Sequence, residues 1–283
     1  RRRHTRYGTV TGVQTCALPI SIRQQLGLDQ PVWVQLGLYL KSVATFDWGK
    51  SWATNEAVSH LFSSRLPAPL TVMLPILVLE VIVALPVAMW VSYRRGSLAD
   101  RTLMVVTTVA LSISFLVYII VGQYVFGFQL GWFPVQGWSD STWTNLTTYV
   151  PLPVMLAVFV ALAPYTRLYR TFFLDELGQD YVRTARAKGM TEGRVMFGHV
   201  LRNAMIPILT NVGLALPGIF VGSFLIEVFF SIPGLGREVL LAVNRSDYPV
   251  IQAIAVYLAA LTMVINLIVD VMFKLVDPRV VLK

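Results

Sequence analysis

Residues 70–91 read LTVMLPILVLEVIVALPVAMWV, twenty-two positions with a single charged side chain, Glu80. A helix rises about 1.5 Å per residue, so a run of this length covers the roughly 30 Å hydrocarbon core of a bilayer. It is too long for a strand, and no period-two alternation runs through it. Four further stretches meet the same requirement: Met104–Phe126, Thr148–Thr166, Pro207–Phe230 and Gln252–Phe273. The sequence therefore predicts an all-α polytopic membrane protein with five spans. Composition agrees. The chain is 55% hydrophobic and 13% charged, where soluble domains carry about 25% charged residues. Pro75, Pro86, Pro153, Pro164 and Pro217 fall inside the spans. Each removes a helical hydrogen bond, and kinks are expected there.

The connecting segments set an orientation. Residues 93–102 carry Arg94, Arg95 and Arg101 against Asp100, and residues 127–147 have no Lys or Arg. Residues 167–206 then carry Arg167, Arg170, Arg183, Arg186, Lys188, Arg194 and Arg202, whereas 231–251 balances Arg237 and Arg245 with Glu238 and Asp247. Basic and non-basic connections alternate, which places the basic ones and the carboxyl terminus in the cytoplasm. The same bias accounts for the net charge of +8 without a nucleic-acid partner. Cys16 is alone, and His4, His60 and His199 are far apart. They offer no disulfide framework and no metal site.

The amino-terminal region does not fit this scheme. Residues 1–6 are strongly basic, yet the alternation puts them outside, and no helix precedes them to carry the chain across. Residues 1–21 resemble a translated adapter or assembly scar and are set apart from the fold. The expected organisation is this scar, an external segment over 22–69 with a short amphipathic helix, and a transmembrane domain over 70–283. A first transmembrane helix replaced by the scar would bring the complete subunit to six spans.

The most informative connection is residues 180–189, DYVRTARAKG, followed by MTEGRVMFGHVLRNAMIP over 190–207. Asp180 is suited to cap a short helix. Tyr181 and Ala185 lie four apart on one face with Val182 beside them, and Arg183 and Arg186 point elsewhere. Gly189 stands where a left-handed residue would end the helix. Thr191 is suited to cap a second helix, with Glu192 favourable against its dipole. A short amphipathic helix across the end of a bundle is placed to dock in a partner's groove.

This segment resembles the "EAA" loop of binding-protein-dependent ABC transporter permeases, in the Ala185-x3-Gly189 form of the dipeptide/oligopeptide/nickel branch. Arg183 and Thr184 replace the usual glutamate and first alanine. The stretch from His199 to Pro207 is similar to that branch as well. So are 65–71 (RLPAPLT), 131–138 (GWFPVQGW), 230–236 (FSIPGLG), 247–252 (DYPVIQ) and 277–280 (DPRV). The likeness covers about residues 31–283. It implies a type I importer bundle in a bacterial inner membrane, partnered by a second and different permease chain, two ATPase subunits and an external solute-binding protein. It also implies that the 167–206 connection carries the coupling helix, with Asp180, Tyr181, Val182, Ala185, Lys188 and Gly189 as its site residues. Ala185 is then expected to face the partner groove. ATP and magnesium would belong to the ATPase subunits, and this chain would hold no cofactor and no catalytic residue. Relatives often carry proline where this chain has Ser114, a change expected to alter a kink.

Other motifs do not compete. Gly49-Lys50-Ser51 lacks the P-loop glycine five residues earlier, which is Ala44 here. No metalloprotease, hydrolase or dinucleotide signature occurs, and no catalytic cluster supports a membrane enzyme. Glu80, mid-span, and Glu227, near the external end, are with Ser114 the candidates for the translocation path. An intramembrane carboxylate costs about 3 kcal/mol on insertion scales and should face the bundle interior or water. For Glu80, a group holding two helices together remains an equal reading. An ion-coupled transporter using Glu80 and Asp270 is the alternative function, but it leaves the docking loop unexplained. Asp270 and Lys274, four apart, are expected to pair.

Overall fold

The computed structural model describes residues 30–45 and 47–276, with side chains up to residue 271. The proposed scar and the DPRV terminus lie outside the described residues. The chain divides between Gly49 and Lys50. The first unit contributes helix α1 (Val32–Thr45). The second holds the bundle: α2 (Val58–Arg65), α3 (Pro67–Tyr93), α4 (Leu98–Ser112), α5 (Phe115–Gly122), α6 (Pro151–Leu177), α7 (Asp180–Ala187), α8 (Glu192–Val195), α9 (Leu201–Val221), α10 (Phe224–Phe229), α11 (Leu235–Asn244) and α12 (Tyr248–Val276). Among the described residues the structure is all helix and connection, with one isolated bridge between Lys50 and Ala57.

Four helices are long and apolar enough to cross a membrane, and a fifth crossing is available if α4 and α5 form one broken span. The first, third, fourth and fifth expected spans correspond to α3, α6, α9 with α10, and α12. The second, Met104–Phe126, was expected as one helix. Instead the chain bends by 88° between α4 and the continuation of α5. Ile113 and Ser114 both take extended backbone (ψ 130° and 140°), so the ladder stops at one and restarts after the other. The break occurs with serine at the position, without a proline to impose it.

α3 packs most extensively along α6, α9 crosses both, and α12 lies against α9. The core falls into two apolar clusters. One joins Ala68, Val72 and Ile76 of α3 to Leu152, Leu156, Ile119, Ile226 and Phe230. The other joins Ala84 and Ala88 of α3 to Tyr169, Phe173, Val182, Ala185, Val200, Ala204 and Ile208. Glu80 is four residues after Ile76 and four before Ala84, so helical periodicity puts it on the same inward face, at the boundary between the clusters.

Two polar clasps fix the ends of the bundle. At one, Arg170 of α6 grips Asp100 of α4 in a fork, Nε to Oδ1 at 2.7 Å and Nη2 to Oδ2 at 2.8 Å. Both side chains are largely buried, 17% and 7% exposed. Removing one partner of such a pair costs about 3–5 kcal/mol, since the other charge stays buried. At the opposite end, Asp247 sits just before α12. It accepts hydrogen bonds from the Ser51 hydroxyl and from the Trp52 and Ala53 amides at 3.0 and 3.3 Å. Burial works to raise the Asp247 carboxyl, but these donors and the Val250 amide outweigh it and hold the group below the usual carboxylate range. Ser51, in the rejected P-loop lookalike, is thus a buried structural donor.

Candidate functional site

The site is built on α7. Its eight residues, DYVRTARA, bury Val182 and Ala185, three apart on one helix face, and half-bury Tyr181. The covering residues are the chain's own: Tyr169 and Phe173 of α6, Val195 of α8, then Met196 and Val200. Ala185 is only 5% exposed. This corrects the expectation that Ala185 meets a partner. The apolar face anchors α7 to its own bundle, and the opposite face carries exposed Asp180, Arg183, Thr184, Arg186, Ala187 and Lys188.

Tyr181 steadies the first turn, its hydroxyl donating to the Glu176 carboxylate. Burial pushes that hydroxyl's pKa up, with the Asn203 hydrogen bond opposing and Glu176 reinforcing the shift. Asp180 is not the cap. Gln179 takes the extended N-cap conformation, and the exposed Asp180 carboxylate instead reaches Arg183 at 3.4 Å. A first-turn carboxylate still favours the helix dipole.

The far end of α7 closes as expected from its glycine. Gly189 has φ +76°. Its amide donates to Arg186 at 2.9 Å, and the Met190 amide donates back to Ala185 at 3.3 Å. These are the paired bonds of a Schellman stop, which needs a left-handed residue after the cap. Met190 then packs into the cluster that holds Ala185, supplying the apolar contact that accompanies the motif. Lys188, the C-cap, is exposed.

Thr191 occupies the N-cap position of α8, but its side chain makes no cap bond. Glu192 has a second role that the sequence did not reveal. Arg186 forks onto it, Nε to Oε1 at 2.9 Å and Nη2 to Oε2 at 3.1 Å, clasping α7 to α8 across the glycine turn. A six-residue separation across a turn matches no helical repeat, so no periodicity signals the pair. Beside this clasp opens a cleft of about 490 Å³, lined by Tyr93, Arg95, Leu177, Arg186 and Glu192. An exposed basic helix face beside a recess, both held rigidly from behind, can receive another protein's side chains.

The three translocation-path candidates do not come together. Glu80 is 4% exposed and Glu227 2% exposed, both inside the chain's own packing. Ser114 is exposed, at the 88° bend. Glu80 Oε1 and the Tyr169 hydroxyl are buried without a hydrogen-bond partner among the described residues. The expected Asp270–Lys274 pair cannot be placed, because the Lys274 side chain lies outside the described residues; Asp270 is exposed. Among the described residues no group of three His, Cys, Asp or Glu side chains is arranged to hold a metal ion.

Comparison with known proteins identifies this arrangement. Residues 81–282 match the family described as "Binding-protein-dependent transport system inner membrane component". The chain is 31% identical to the dipeptide transport system permease protein DppB of Alkalihalophilus pseudofirmus, over 96% of this chain and 89% of that protein. It is 33% identical to the di/tripeptide transport system permease protein DppB of Pseudomonas aeruginosa, over 90% of this chain and 83% of that protein. It is 36% identical to the oligopeptide transport system permease protein AppB of Bacillus subtilis, over 91% and 83%. The family match spans α7, its glycine stop and the clasp to α8, and with it this chain belongs to the binding-protein-dependent ABC transporter permeases, in their peptide branch.

Proposed function

We propose that this chain is the transmembrane subunit of an ATP-driven importer of peptides or a related small solute. In this reading it forms the path together with a second, different permease chain, and an external solute-binding protein delivers the cargo. Two separate ATPase subunits bind and hydrolyse ATP with magnesium. The exposed face of α7 docks on one of them, and its buried face passes the movement into α6 and α9. ATP-driven closure of the ATPases then becomes an inward-to-outward switch of the bundle. The chain lies in the bacterial inner membrane, with the α7 connection and the carboxyl terminus in the cytoplasm and the 127–147 and 231–251 segments outside.

The observation that carries this reading is the division of α7 into a face buried in its own bundle and an exposed Arg- and Lys-bearing face beside a cleft. A plain connector needs neither the Schellman stop nor the Arg186–Glu192 clasp. The names of the relatives support peptides as cargo, and the alternation of loop charge supports the orientation. Uptake of a labelled dipeptide by cells carrying the complete system tests it. An ATPase subunit inactivated at its nucleotide site should abolish uptake, and an uncoupler that leaves ATP levels intact should not. The opposite pattern would favour the ion-coupled alternative that the unpartnered Glu80 oxygen otherwise leaves open.

A further inference from the structure

α9 ends at Gly222, which has φ +75°, and α10 restarts after Ser223. α10, the turn through Ser231 and α11 then form a cap over this end of the bundle. Glu227, on α10, points into the middle of it. Its Oε2 accepts the Arg237 amide at 2.8 Å, and its backbone carbonyl accepts the Ile232 amide at 2.8 Å. Its other oxygen, Oε1, is buried without a partner among the described residues.

Three glycines surround this carboxylate. A Cβ on Gly222 would overlap Oε1 and press on Pro69 of α3 at 3.2 Å. A Cβ on Gly236 would meet Oε2 at 3.1 Å and the Phe224 backbone at 3.0 Å. A Cβ on Gly234 would overlap the Glu227 carboxyl carbon and both its oxygens, its three nearest atoms. Gly234 has φ −102° and ψ 176°, a conformation open to any residue. Its backbone gives no reason for glycine at this position, and the Glu227 carboxylate does.

We propose that Glu227 is the positioning residue of this cap: its carboxylate, seated in the cradle of Gly222, Gly234 and Gly236, sets how α10 and α11 close against the start of α3 and the end of α9. The Arg65–Glu238 contact at 3.5 Å ties α11 to the end of α2 beside the same seat. Placing the cap outside, where delivered solute enters, rests on the function proposed above; the seat itself does not.

Two experiments separate these claims. The first uses the full chain alone, purified in detergent, and reads its thermal unfolding midpoint. Gly234→Ala should lower the midpoint by several degrees. Added to Glu227→Ala it should lower the midpoint no further, because the methyl then occupies the space the carboxylate has left. Residues in contact are expected to be non-additive in this way. Equal losses in both backgrounds would overturn the cradle.

The second reads solute-stimulated and basal ATP hydrolysis by the complete transporter in proteoliposomes. Glu227→Ala should reduce the stimulated-to-basal ratio about tenfold, equivalent to ~1.4 kcal/mol of coupling, with basal hydrolysis within about twofold of wild type. Glu227→Gln keeps both the fill and an oxygen for the Arg237 amide, and should restore most of the ratio. A purely structural defect would lower both rates together. That result, or a Gln variant as impaired as Ala, would overturn the positioning role. Non-additive midpoints in a chain that assembles no ATPase complex would leave the cradle standing and defeat the transport reading instead.

Discussion

Ala185→Asp is expected to abolish solute-stimulated ATP hydrolysis and release the ATPase subunits, while the chain still reaches the membrane in near-normal amount. Ala185 is 5% exposed, among Val182, Tyr169, Phe173 and Val195. A carboxylate placed there has no cationic partner in that cluster. An uncompensated buried charge costs on the order of 3–5 kcal/mol. The least costly escape is for α7 to peel off, because eight residues lose far less than the bundle would by unfolding. The defect therefore arises within this chain, and docking is lost as a consequence. Hydrogen exchange of the α7 amides reads the difference. They should lose protection even in the isolated subunit. Preserved protection there, with docking still lost, would mean that Ala185 touches the partner directly.

Gly189→Val should be nearly as severe, for a purely backbone reason. No heavy atom outside its immediate neighbours lies within 4 Å of where a Cβ would stand at Gly189, so the side chain has room. What it lacks is access to φ +76°. A left-handed conformation costs an ordinary residue about 1–2 kcal/mol and a β-branched one more. Losing the two Schellman bonds adds about 1 kcal/mol each. Coupled transport should fall at least about tenfold, in line with ~1.4 kcal/mol per decade. Gly189→Asn should be the mildest replacement and Gly189→Ala intermediate, because asparagine tolerates the left-handed region best. Valine and alanine variants of equal activity would show that the residue is not held left-handed in the working complex.

Much of this protein was legible in the sequence where one physical signal dominates. The apolar run at 70–91 lies within α3, and the glycine at 189 marks a true helix stop, because hydropathy and the left-handed cost act locally. Val182 and Ala185 were recognisable as one face. Which surface covers that face was not, since periodicity says that a stripe is buried and not by what. The bend at Ile113–Ser114 carried no proline or glycine to announce it. The N-cap of α7 is Gln179, one residue before the Asp180 that residue type favours, a shift within the ordinary uncertainty of helix ends. The Glu227 seat was the least accessible feature. Gly222, Gly234 and Gly236 are visible as glycines, but that Gly234 serves packing and not a turn depends on a carboxylate seven residues away, folded back over it.

The central claim is that α7 shows one face to its own bundle and the other to an ATPase subunit. Site-specific photo-crosslinking from single positions of α7 tests it most directly, in the assembled transporter with both ATPase subunits present. A crosslinker at Arg183 or Ala187 should capture an ATPase subunit, with a yield that changes when ATP is added. One at Val182 should react only within the permease chain. Capture of an ATPase subunit from Val182, with none from Arg183 or Ala187, would contradict the account.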